Sequence, residues 1–142
     1  MYHFQITIHM RGERVGLGDT HRVESHEVRA LEVPREALAE PMGVSFEQAA
    51  SDLARLPRMF VEPDGNLVWV SASQDKPRWQ VDGNLYDRAG RLAFVDLSGT
   101  CPPKQFDQLL GCLGWPETRL MFQLTRQALF LDESEFRRFA GR

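Results

Sequence analysis

Two groupings in this 142-residue chain have residue types suited to chemistry. The first is Cys101, which follows Asp96-Leu97-Ser98-Gly99-Thr100 and precedes Pro102-Pro103-Lys104. That pattern sets the thiol where a strand gives way to a helix, and the free N–H groups and partial positive charge of a helix start favour a thiolate. Lys104, one turn along, adds to the field, and a strand–Gly–helix junction can cradle an anion. Cys101 with Lys104 therefore points to a thiol-dependent enzyme or an anion-binding protein. Against it, the short Cys-to-Arg loop of thiol phosphatases is absent, and the nearest preceding histidine, His26, lies 75 residues upstream. A capping or semi-buried structural cysteine is the favoured expectation.

The second grouping is the four histidines, all between positions 3 and 26. Neutral imidazoles suit zinc and similar cations. His3 and His9 are six residues apart on one strand face, about 20 Å by the rise per residue, too far to share an ion. His9 with His26, helped by Glu24, is the one compact combination, and it needs an antiparallel return strand. No CxxC or HExxH spacing supports it. Solvated strand-face histidines, with no metal and no cofactor, are the expectation. Asp64, Asp82 and Asp87 fall at turns, where Asp bonds the local backbone, and no calcium-loop pattern is present.

The elements that would position these groups read as follows. In Tyr2–Met10, Phe4, Ile6, Ile8 and Met10 alternate with His3, Gln5, Thr7 and His9, a half-buried strand. Residues 11–21 read as a mobile loop. Arg22–Val33 reads as a second strand whose apolar parity changes midway, which calls for a bulge. Pro34 opens a short helix to Glu40. Ser45 with Gln48 forms a capping box before the Phe46, Ala49, Ala50, Leu53 face of a helix that Pro57 ends. Arg58–Glu62, Asn66–Ser73, Trp79–Tyr86 and Arg91–Ser98 form an antiparallel meander, with type I turns at 62–65 and 87–90. Thr100 or Cys101 caps a helix opened by Pro102 and Pro103 and stopped by Gly114. Strands follow at 119–125 and 128–131, then a short helix capped by Asp132 with Glu135. Strands and helices segregated in this way give an α+β domain spanning 1–142: a mainly antiparallel sheet (N-terminal hairpin plus central meander) packed with two principal helices and a short C-terminal one.

Tyr86-Asp87-Arg88-Ala89-Gly90-Arg91-Leu92 resembles one copy of the YD-type repeat of large secreted shell proteins. Over those seven residues the resemblance implies a hairpin turn. In size, acidity and helix–meander–helix order the chain is also similar to secretion chaperones, which bind unfolded client segments; its strand-rich N-terminus departs from them.

Composition narrows the classes. With 17 basic and 20 acidic residues the formal charge is −3, and no segment is a basic stripe, so the electrostatic footprint of a nucleic-acid binder is missing. No apolar run approaches a membrane span, and the N-terminus has neither the charge nor the apolar stretch of a signal peptide. Two cysteines, about 16 Å apart if on one helix, read as reduced thiols in a cytoplasmic protein. The strongest functional signal lies in the meander, where Leu67 and Trp69 alternate with Val68 and Val70, and Leu92 and Phe94 with Ala93 and Val95. A sheet apolar on both faces must be covered on both. If the helices at 45–56 and 102–113 take one face only, Trp69, Trp79 and Tyr86 become a partner surface. The expectation is a non-enzymatic protein-association module, self-dimerising or docking another chain.

Overall fold

The alternation in Tyr2–Met10 makes that segment a strand, β1, and in the computed structural model, which describes residues 1–142, it is an inner strand of the main sheet. The order continues with β2 (Gly16–Val23), β3 (His26–Glu32), a 3-10 turn over Arg35–Ala39, α1 (Phe46–Ala54), β4 (Met59–Val61), β5 (Asn66–Val70), β6 (Gln80–Arg88) and β7 (Arg91–Cys101). Then come α2 (Pro103–Gly111), β8 (Leu120–Leu124), β9 (Leu129–Leu131) and α3 (Glu133–Ala140). Seven strands form an antiparallel sheet in the order β4-β5-β6-β7-β1-β8-β9, while β2 and β3 form a separate hairpin. The molecule is α+β with a mostly antiparallel sheet and three helices, the last of them short.

Short-range chemistry sets most element boundaries. Ser45 Oγ accepts from Gln48 N–H at 3.0 Å and starts α1. Asp132 Oδ1 accepts from Glu135 N–H at 2.9 Å and starts α3. The 62–65 turn closes with Gly65 N–H donating to Glu62 O at 2.9 Å. Other boundaries differ from expectation. Residues 16–23 are strand rather than loop, because Glu24 and Ser25 both take positive φ and turn the chain straight back into β3. β1 therefore pairs with β7 and β8, not with 22–33. Ala89 and Gly90 are both at positive φ, which makes the β6–β7 connection a two-residue primed turn instead of type I. α2 has Pro102 at its cap position and no side-chain cap, since Thr100 and Cys101 still belong to β7.

The register decides the faces. Ile6 faces Leu97 and Leu124, and Ile8 faces Val95 and Phe122, so these side chains share one side of the sheet with Leu67, Trp69, Val81 and Leu85. That side joins Ala49 and Leu53 of α1, Phe106, Leu109 and Leu110 of α2, and Phe136 and Phe139 of α3 in one cluster of 29 buried residues. The ring of Phe106 lies 5.5 Å from that of Phe136, and Phe122 stacks on Phe136 at 4.6 Å. All three helices thus cover the same face, the one-sided case that the sequence left open. A smaller cluster of Val15, Leu31, Ala37 and Met121 seals one end of the other face. Burying both Val28 and Leu31 on opposite sides of β3 accounts for its change of parity. The bulge itself lies on β2, between Leu17 and Thr20.

Candidate functional site

The face that the helices leave carries the odd-numbered residues of β1 and their cross-strand neighbours. β7 changes parity on the way, because Tyr86 pairs with Phe94 and Asp87 with Leu92, leaving Ala93 as the extra residue of a bulge. Leu92 consequently joins the covered core, while Phe94, next to the covered Val95, stays on the open side. There Tyr86 stacks on Phe94 at 4.5 Å, Phe94 on His9 at 5.5 Å, and His9 meets the edge of Phe130 at 5.6 Å. This aromatic row crosses the sheet from β6 to β9. It runs from a side chain sealed against Met121 to Tyr86, which is 37% exposed.

Polar groups line the row. Thr7 Oγ1 donates to Asp96 Oδ1 at 2.7 Å. Interaction with the Asp96 carboxylate opposes ionisation of the Tyr86 hydroxyl, and with a smaller effect of burial this holds the phenol above its ordinary range. Burial lowers the His9 pKa, and the neighbouring Gln123 side chain and the Asp96 charge offset only part of that. His9 is therefore a neutral ring near pH 7. The centre of the face, at Gln5, Asp82, Asn84 and Ser98, is polar and partly or fully exposed. Phe60, 65% exposed, marks its outer edge on β4.

The residues singled out in the sequence are dispersed. Trp69 and Trp79 are 1% and 6% exposed. They pack edge to face at 5.0 Å, and Trp69 Nε1 donates to Pro57 O. Both indoles lie in the covered core, so of the expected partner surface Tyr86 alone is at the outside. Cys101 is fully buried as the last residue of β7, paired with Tyr2, and burial pushes its thiol up to about 12. The thiol is therefore in its protonated form at neutral pH, and Lys104 lies exposed on α2. Cys112 is also a free thiol, pushed up to about 11 by burial and by Asp52.

His9 and His26 lie on opposite sides. His9 is on the helix-free face, whereas the His26 ring is edge-on to Phe139 of α3, which covers the other face, with Nδ1 2.9 Å from Glu24 O. No three His, Cys, Asp or Glu side chains gather to hold a metal ion. No protein family, curated protein or solved structure matches the chain.

Sequence reasoning missed Phe94, Thr7, Asp96, Gln123 and Phe130. Phe94 was hidden by the bulge, since regular alternation from Val95 puts Leu92 and Phe94 on the same side. The remaining four depend on β1 lying between β7 and β8, a long-range pairing with no local signal. No helix is long and apolar enough to cross a membrane.

Proposed function

We propose that this chain is a small non-catalytic association module that docks another protein through the helix-free face of its sheet, with Tyr86 as the anchor. The observation that carries this reading is the Tyr86–Phe94–His9–Phe130 row. It is an aromatic stack, buried at His9 and half-buried at Phe94 and Phe130, whose one exposed end is a tyrosine influenced by Asp96. A ring already held by packing loses little freedom when a partner covers it, and tyrosine is among the residues that dominate interface energies.

Charge favours a separate partner over a face-to-face dimer at this surface. Asp82 and Asp96 lie on it, and the strand positions between β5 and β8 contribute no Lys or Arg to its centre. Two copies stacked here would oppose carboxylates, whereas a partner presenting donors or cationic groups would match them. The two free thiols fit a cytoplasmic setting.

Capture from the native host tests the reading. A Tyr86→Ala chain should lose its specific partner by about thirtyfold or more, the size expected for a hot spot of about 2 kcal/mol. Cys101→Ser should capture it as well as the wild type does. Equal capture by Tyr86→Ala would remove the proposal, and loss with Cys101→Ser in a folded chain would return attention to the thiol.

A further inference from the structure

The outer edge of the sheet carries a second association signal, on a different strand and independent of docking through Tyr86. The bonds from Glu62 N–H to Asn66 O and from Val70 N–H to Arg58 O fix the hydrogen-bond phase of β4 against β5. In that phase the backbone of Phe60, paired with Val68, faces inward, and the backbones of Met59 and Val61 face outward. Met59 N–H is taken by Leu56 O. Met59 O and both polar groups of Val61 are left at the open edge. Phe60 stands 65% exposed above them on the helix-free side, next to Val68 and Val70, which are half-buried. Away from the sealed end this is the apolar strip of that face, and it lies wholly at the edge.

The sequence of the edge is self-complementary: Arg58-Met59-Phe60-Val61-Glu62. An antiparallel copy related by a two-fold axis at Phe60 sets Met59 opposite Val61 and brings Arg58 of one chain level with Glu62 of the other, at both ends. Parallel pairing, or a slipped register, sets like charges together or leaves them unmatched. Arg58 uses Nε to hold Val70 O at 3.2 Å, its other guanidinium nitrogens make no bond within the chain, and Glu62 enters no ion pair.

We propose that β4 is an isologous dimer edge: two copies join β4 to β4 through Val61 N–H donating to Met59 O in both directions, with Phe60 packed on Phe60 and the two sheets made continuous. The flanking charges select this pairing over other strands, and the shortness of the strand guards against open-ended association. A three-residue edge buries less than the roughly 800 Å² per partner of a standard interface, so the dimer is weak and concentration-dependent.

Sedimentation velocity of the full chain, up to about 1 mM, reads this directly. The mass should rise from 16.3 kDa toward twice that value with concentration. Phe60→Lys, at an exposed position, should remain monomeric throughout with an unchanged circular dichroism spectrum. Glu62→Arg should weaken the dimer at least about fivefold, and the double exchange Arg58→Glu with Glu62→Arg should restore it to within about twofold, because the swapped charges again face their opposites. A monomer at every concentration, a dimer indifferent to Phe60→Lys, or a double exchange as weak as the single one would each overturn the proposal.

Discussion

His9 shows how one side chain on the open face reports on the fold. Its ring lies between Phe94 and Phe130, and burial disfavours its charged form. With a folded pKa below the ordinary 6.5, the unfolded chain binds the extra proton first as the pH falls. The stability that comes from keeping this ring neutral is complete above about 6.5 and is lost progressively below it, down to the depressed folded value. Urea midpoints measured between pH 8 and 5 should therefore fall on the acid side for the wild type. They should fall less for His9→Gln, which cannot titrate; parallel curves would contradict the assignment. That His9 lies on the wetter side of its strand is legible from alternation alone. The sealing of that side by Met121 and Phe130 is not, because residues more than a hundred positions away supply the cover. Cys101 teaches the same point from the other direction. The Asp96–Lys104 string reads locally as a helix start, yet pairing with Tyr2 carries β7 through to the thiol and buries it.

At the scale of elements, the helices were largely legible, because caps and apolar spacing are local properties. Ser45 and Asp132 cap as their sequence context implies. The β2–β3 hairpin was not, since β2 offers almost no buried residues and so no apolar pattern to read. Besides the buried Val23, Val28 and Leu31, α3 holds it through polar bonds: Arg29 N–H donates to Glu135 at 2.5 Å, Arg138 donates to Glu27 O at 2.6 Å, and Arg142 pairs with Glu24. Bonds with Arg138 lower the Glu135 pKa, and bonds with Arg142 lower that of Glu24. A carboxylate held below its ordinary 4.5 contributes stability above that pH and loses it as the pH falls through the folded value. Amide exchange at acid pH should accordingly speed up in β2 and β3 before it does in β5–β7. Arg138→Ala should bring that opening to neutral pH. Uniform exchange across both sheets would show that the hairpin opens only with the whole fold.

On the scale of the whole molecule, the meander was legible as strands and turns, but the distribution of its two faces was not. Trp69 and Val68 do alternate as expected. The three helices nevertheless crowd onto the Trp69 side, and the other side is polar at its centre, with its aromatic residues gathered toward one end and Phe60 at the far edge. One bulge at Ala93 is enough to part Leu92 from Phe94, moving Leu92 into the core and leaving Phe94 outside beside Tyr86. The association proposed for this molecule therefore rests on a short aromatic rim, not on a broad apolar sheet.

A photo-crosslinking residue at position 84, two residues from Tyr86 on the same face of β6, compared in the native host with the same residue at position 104 on α2, tests that claim most directly. The account predicts a discrete adduct with another protein from position 84, lost with Tyr86→Ala, and none from position 104. Adducts from 104 but not 84, or the same adducts from both, would contradict it.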